Sequence, residues 1–302
     1  MNEVIRVEHL KKYFHEVKAV DDISFSVERG ELFGFLGVNG AGKSTTINML
    51  CTLFLPTDGK VTICGYELGK ENEQIKKCIG VVYQNNCLDK LLTVKENLLL
   101  RGSLYETDRK KLHDSMERVG KILELDEVWK RPYGKLSGGQ KRRCEIATAL
   151  LHTPDILFLD EPTTGLDPAT RKSVWSTLKK LQKEMDMTIF LTTHYMEEAA
   201  KASHIAIMDQ GHLVQYGTPF SLKEQFAKDK LMVVPKETCK EEVVRRLEEK
   251  GLSYKWKEER IWIPIQNTME ALPLLEQLRV MLEGFEVLQG TMDDVFLQVV
   301  GE

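Results

Sequence analysis

No stretch of these 302 residues approaches the ~20 consecutive apolar residues that a membrane-spanning helix requires. At a membrane the chain is therefore expected only as a peripheral subunit. The first ten residues carry acids and no apolar core, which argues against a secretory signal peptide. There is no basic excess. The 42 Lys and Arg against 46 Asp and Glu give a net charge of −4, so no nucleic-acid partner is expected. Cysteine is sparse and unpatterned. Cys51, Cys64, Cys78, Cys87, Cys144 and Cys239 form no C-x-x-C and show no metal-ligand spacing, and they are read as small buried or half-buried residues in a reducing compartment. No internal repeat or low-complexity tract stands out. What remains is ordinary globular composition, 42% hydrophobic and 29% charged, with room for about two domains.

One segment is far from ordinary. Gly37, Val38, Asn39, Gly40, Ala41, Gly42, Lys43, Ser44 and Thr45 fit G-x-x-x-x-G-K-[ST], the phosphate-cradling P-loop. An apolar run from Glu31 to Leu36 precedes it and a helical pattern from Thr46 to Leu50 comes after, the strand–loop–helix setting the pattern needs. Glycines leave backbone N–H groups free to wrap oxygen anions, and the helix start adds its positive dipole end. Lys43 is expected to reach the β- and γ-phosphates, and the Ser44 hydroxyl to bind Mg²⁺.

Along the chain, short apolar or alternating runs at Val4–Val7, Ile23–Val27, Lys60–Cys64 and Ile79–Tyr83 read as strands. The pattern turns helical from Thr93 to about Leu125. Strands at Asp155–Asp160, Met187–Thr193 and Ile205–Met208 alternate with helices at Pro168–Lys183 and Met196–Ala202. Such alternation implies a mostly parallel sheet covered by helices. Composition shifts near Gly217. Beyond it the chain reads β, α, β, β, α, β and a last helix at Met292–Val300; without that helix the order is a split β-α-β-β-α-β unit.

Two more clusters carry chemistry. In Leu136-Ser137-Gly138-Gly139-Gln140, Ser137 is a good N-cap and Gln140 completes a capping box. Two glycines in a first helical turn weaken it by ~1 kcal/mol each against alanine, so something is expected to approach that backbone closely, a phosphate being the natural candidate. Asp160 and Glu161 end an apolar strand, where P-loop proteins place the Asp that holds Mg²⁺.

Together the P-loop, this LSGGQ and the Ile156–Glu161 strand, in this order, resemble the ATP-binding cassette of ABC transporters over about residues 3–218. The resemblance implies a P-loop α/β cassette, a mixed sheet core with antiparallel β and helical subdomains, over residues 1–220. The helical subdomain falls at about 85–150, and a small α+β accessory domain at 221–302. It implies ATP and Mg²⁺ as ligands and ATP hydrolysis as the activity. It makes Glu161 the catalytic glutamate that polarises the attacking water, Gln84 the glutamine that touches Mg²⁺ and that water, and His194 the histidine that contacts the γ-phosphate. Asp167 becomes the aspartate that aligns two subunits. Tyr13 occupies the place of an aromatic that stacks on adenine, with Phe14 a competitor. Val38 stands where the family more often has Pro, at a free position of the pattern.

In that family the P-loop of one chain faces the LSGGQ of another. The chain is therefore expected to need a second cassette, a homodimer being simplest and a paired homologue the alternative, and to drive a separately encoded permease from the cytoplasmic face. The contact surface is expected around Asn85–Tyr105. The C-terminal Gly290-Thr-Met-Asp-Asp-Val-Phe-Leu297 is similar to the ends of antibiotic- and drug-exporter ATPases, which favours export. An importer ATPase, or a soluble cassette acting on ribosomes or DNA, stays as the alternative.

Overall fold

The computed structural model describes residues 3–85 and 87–301. Asn86, inside the expected contact surface, lies outside the described residues. The chain divides into two compact units, one ending at Gly217 and one beginning at Thr218.

In chain order the first unit carries β1 (Glu3–Phe14), β2 (Val17–Glu28), β3 (Leu32–Gly37), α1 (Lys43–Leu50), β4 (Asp58–Ile63), β5 (Tyr66–Glu67), α2 (Asn72–Cys78) and β6 (Ile79–Val82). It continues with α3 (Val94–Gly102), α4 (Arg109–Ile122), α5 (Gly138–Leu150), β7 (Ile156–Asp160), α6 (Pro168–Met185), β8 (Thr188–Thr193), α7 (Met196–Ala199), β9 (His204–Asp209) and β10 (His212–Gly217). Strands β10-β9-β3-β8-β7-β6 form one sheet, and β2-β1-β4-β5 an antiparallel second. Pairing is parallel from β9 through β3, β8 and β7 to β6, with β10 added antiparallel at one edge. This is the expected ABC cassette fold, a mixed core sheet with an antiparallel β layer and a helical region. Every residue of β3 and β8 is buried, as a sheet covered on both faces demands.

Aromatic rings join the two sheets. Phe25 of β2 stacks on Phe33 at 5.6 Å; Phe33 meets Phe190 at 5.1 Å and Phe190 meets Phe158 at 5.2 Å. Each such pair adds ~0.5–1.5 kcal/mol beyond the area it buries. The core sheet is thus held rigidly where its strand ends must present side chains.

The helical pattern read from Thr93 to Leu125 is two helices, not one. The first ends at Gly102, and Asp108 starts α4 afresh, its carboxylate accepting from the backbone N–H groups of Lys110 and Lys111. Helices α3, α4 and α5 pack on one another. The strands near residues 4 and 23 are each twelve residues long and form one hairpin.

The second unit runs α8 (Pro219–Phe226), β11 (Asp229–Pro235), α9 (Lys240–Glu249), β12 (Lys255–Lys257), β13 (Arg260–Ile265), α10 (Ala271–Leu278), β14 (Leu282–Leu288) and α11 (Met292–Val300). Its four strands form an antiparallel sheet in the order β12-β13-β11-β14. Leu231, Val233, Ile261 and Ile263 pack with Val243, Leu247, Leu274 and Leu278 in a core of its own. Helix α8 escaped the sequence reading, although Thr218 followed by Pro219 is an N-cap with proline at the first helical position.

Candidate functional site

Four neighbouring parallel strands end side by side, and each delivers one expected residue just past its C-terminal end. Strand β3 runs into the P-loop, β8 into His194, β7 into Asp160 and Glu161, and β6 into the segment with Gln84. Ligands of open α/β sheets bind at this edge. A cleft of about 930 Å³ lies there, lined by Val38, Gly40, Lys43, Ser44 and Thr45 on one side and by Gln84, Glu161 and His194 on the other.

The P-loop is built for a close oxygen ligand. Gly42 precedes α1 with φ 105°, and a Cβ there would stand 2.4 Å from the Ala19 carbonyl oxygen, so no other residue fits. Helix α1 has no side-chain cap and no acid in its first turn. Its first N–H groups are left for a ligand. Lys43 is buried, and its ammonium donates to the carbonyls of Gly37 at 2.8 Å and Val38 at 3.0 Å. Burial pulls its pKa down, while the nearby Glu161 and Asp160 carboxylates act to raise it.

Three groups converge on one oxygen of Glu161. Its Oε2 accepts from Gln84 Nε2 at 3.2 Å and from Thr164 Oγ1 at 3.0 Å, and His194 Nδ1 lies 3.4 Å away. The backbone of Glu161 sits in the left-handed region, φ 45°, which is costly for a non-glycine residue. Thr192 helps to hold it there: its hydroxyl donates to Asp160 Oδ1 at 2.6 Å and accepts from the Glu161 N–H at 3.0 Å. A half-buried carboxylate, fixed in direction and facing the P-loop, is suited to accept a proton or a hydrogen bond from water.

The remaining expected residues lie elsewhere. Ser137, Gly138, Gly139, Gln140 and Asp167 do not line this cleft. Ser137 caps α5 in a full capping box, its Oγ accepting from Gln140 N at 3.3 Å and its N–H donating to Gln140 Oε1 at 3.1 Å. Asp167 caps α6 through Thr170, whose backbone N–H and hydroxyl both donate to it, and these bonds depress its pKa. The two caps are neighbours. A Cβ on Gly139 would stand 2.7 Å from Thr170 Cγ2, and one on Gly138 2.9 Å from Leu166 Cδ2. Close packing within the chain therefore accounts for glycine at 139.

Tyr13 also lies off the cleft lining. Its hydroxyl donates to Asp21 Oδ1 at 2.6 Å, and the Lys18 ammonium sits 5.4 Å from its ring centre. Phe14 is exposed and meets Phe54 edge-on at 5.8 Å. The sequence reading passed over Val17, Lys18, Ala19, Thr164, Gln210 and Gly211, which line the cleft. Thr164 had a signal in its place three residues after Glu161; the others meet only through long-range contact between the sheets, where the Asp21 N–H of β2 donates to the Gly211 carbonyl of the β9–β10 turn at 2.8 Å. Cys64, Cys78 and Asp155 lie within 4.8 Å of one another, a meeting that spacing did not show. Burial pushes the Cys64 thiol up to about 12, and Arg29 holds Asp155 at 2.7 Å, so neither is set up as a ligand.

Comparison with known proteins places this geometry. A family model described as ABC transporter matches residues 20–164. The chain is 33% identical over 306 residues to the daunorubicin resistance ATP-binding protein DrrA2 of Streptomyces coeruleorubidus, covering 98% of this chain and 95% of that one. It is 39% identical over 233 residues to the linearmycin resistance ATP-binding protein LnrL of Bacillus subtilis (strain 168), covering 76% and 74%. Among solved structures it is similar to the dimeric post-hydrolysis state of the ATP-binding cassette MJ0796 bound to ADP and Pi. That likeness has a TM-score of 0.63 at 27% identity and covers 71% of this chain and 98% of that one. With a phosphate loop, a braced glutamate and a capped Ser-Gly-Gly turn in one cassette fold, the chain belongs to the ABC transporter family as an ATP-binding, ATP-hydrolysing subunit.

Proposed function

We propose that this chain powers an exporter of drugs or other amphiphiles, as one of two cassettes that close head-to-tail on ATP beneath a separately encoded permease. The observation that carries the hydrolytic part is the convergence of Gln84, Thr164 and His194 on one Glu161 oxygen, across the cleft from Lys43. Glu161 orients the water and takes its proton. Lys43 and the α1 N–H groups hold the β- and γ-phosphates, and His194 reports the γ-phosphate to the β8 strand end. Ser44, Gln84 and Asp160 offer hydroxyl, amide and carboxylate oxygens, the hard donors that Mg²⁺ takes. Bound there, the ion would neutralise phosphate charge as it builds.

Pairing is supported by the distribution of the site. The Ser137–Gln140 turn presents an exposed hydroxyl and helix N-terminus away from the chain's own cleft, so a second chain's triphosphate is its natural partner. That a similar cassette forms a dimer with ADP and Pi supports pairing as such.

For the permease, a groove of about 480 Å³ opens beside Gln84, lined by Tyr83, Asn85, Arg101, Leu104, Tyr105 and His152. Leu104 is 72% exposed and Tyr105 58%, an apolar rim suited to a short helix of a membrane subunit. Among the described residues no helix is long and apolar enough to cross a membrane. Export is favoured by the resistance proteins to which the chain is similar along its length.

The test is sedimentation of Glu161→Gln with saturating Mg·ATP. A species of twice 34.6 kDa is expected, and a persistent monomer would overturn the paired site. Cells lacking the chain should retain an amphiphilic drug that wild-type cells extrude; equal retention would remove the export reading while leaving the ATPase.

A further inference from the structure

One buried guanidinium binds the backbone on both sides of Glu161 and just before Gln84 without lining the cleft. Arg142 sits on the second turn of α5, the helix that begins with the Ser-Gly-Gly turn, and is only 5% exposed. Its Nε donates to the Pro162 carbonyl at 2.8 Å and one terminal nitrogen to the Asp160 carbonyl at 3.2 Å. These two residues flank Glu161. The other terminal nitrogen donates at 2.7 Å to the carbonyl of Tyr83, the residue before Gln84, and at 2.9 Å to Glu145 Oε2. Glu145 is 6% exposed and is held in turn by the Tyr133 hydroxyl, 2.8 Å from its Oε1.

We infer that Arg142 is a positioning residue for ATP hydrolysis, fixing the Glu161 and Gln84 backbones relative to the helix that carries the Ser-Gly-Gly turn. The inference rests on the role given to Glu161 above. Its physical basis is threefold. A left-handed glutamate persists only where its surroundings over-determine it, and Arg142 binds the carbonyl on each side of that residue. A guanidinium has its donors in one rigid plane, so three carbonyls from two strand ends are locked into a single geometry. A buried ion pair is seldom kept for stability alone, because well-packed apolar residues serve as well or better. Helix α5 thereby becomes a lever. Whatever seats its N-terminus also sets where the water-activating carboxylate points. Arg142 does not line the cleft and acts through Glu161 and Gln84.

The experiment compares ATPase kinetics and fluorescent-nucleotide affinity of the full chain with two substitutions. Arg142→Lys keeps a charge opposite Glu145 but replaces the fork by one ammonium. The double variant Arg142→Met with Glu145→Leu removes both buried charges at similar volume. For each, kcat is expected to fall at least tenfold, with KM and nucleotide affinity within twofold of wild type and an intact thermal transition. Wild-type kcat in either folded variant overturns the inference. So does a fall in kcat matched by an equal loss of nucleotide affinity, since that marks general damage. Should neither variant fold, the near-isosteric Glu145→Gln decides: it loosens the anchor of the fork, and an unchanged kcat refutes the lever. Absence of turnover in the wild-type chain would instead count against the hydrolytic role of Glu161.

Discussion

The side-chain amide of Gln84 donates to the Glu161 carboxylate across 3.2 Å, linking residues 77 positions apart at the ends of two adjacent strands. The bond makes the carboxylate's direction depend on the segment that leads into the Leu104–Tyr105 groove. A permease seated in that groove would thus have a short mechanical route to the water-activating group, through β6 and one amide.

In the proposed role, replacing Glu161 with Gln keeps the shape but removes the anion that would accept the proton. Turnover should fall by ~10²–10⁴-fold, the usual worth of a general base. Nucleotide affinity should hold, because the phosphates are gripped by the P-loop. Phosphate release and nucleotide titration measure the two separately. A variant that hydrolyses ATP at the wild-type rate would remove Glu161 from the mechanism.

Lys43→Ala should act on binding. The buried ammonium makes charge-assisted bonds worth ~1.5–3 kcal/mol each, so affinity for ATP should drop by about ten- to 150-fold. Retained affinity in a titration would mean that the α1 N–H groups suffice alone.

Ending the chain at Gly217 removes the second unit, whose core is its own. The nucleotide cleft is lined only by residues up to Gly211, so ATP affinity should be unchanged. A folded fragment unable to bind nucleotide would show that the boundary is drawn in the wrong place.

His152 gives a pH signature. Its Nε2 bonds to the Ile79 carbonyl at 2.9 Å, its Nδ1 is buried without a partner among the described residues, and its ring stacks on Tyr105 at 4.4 Å. Burial lowers its pKa below the ordinary 6.5. A proton would need an acceptor at Nδ1 that the fold does not supply. The folded chain therefore holds the neutral ring while the unfolded chain takes up a proton below pH 6.5. Its contribution to stability is complete above that pH and is lost as pH falls toward the folded value. In His152→Gln, urea unfolding at pH 7.5 and pH 5.5 should differ less than in wild type. An unchanged difference would assign the acid sensitivity to other groups.

Much of the cleft's lining can be read from residue order, because a phosphate loop and a strand-ending Asp-Glu pair are short-range patterns; the capped Ser-Gly-Gly turn is as legible as a helix start, but lies off the cleft. Arg142 cannot be read this way. The partners that tie it to Glu161 and Gln84 are backbone carbonyls at 83, 160 and 162, which carry no residue-type signal; only its bond to Glu145, three residues on, has one. Lys18 and Gly211 are equally hidden, since only a long-range contact between the two sheets brings them to the cleft. Within Thr93–Leu125 the helical period runs on through residues 103–108, where α3 has ended at Gly102 and the Asp108 carboxylate caps the start of α4. In the second unit the alternation of strands and helices is legible because β13 alternates exposed and buried residues and α9 buries Val243 and Leu247 one turn apart. The helix at Pro219–Phe226 is not, since it is amphipathic over just two turns.

The hydroxyl of Ser137 accepts the Gln140 N–H, and an oxygen that accepts still keeps its own hydrogen. That hydrogen can rotate outward. The same atom can thus brace its helix inwardly while offering a donor to a guest anion, and alanine would silence both duties at once. Cysteine, with its longer and weaker S–H, would separate them by degree.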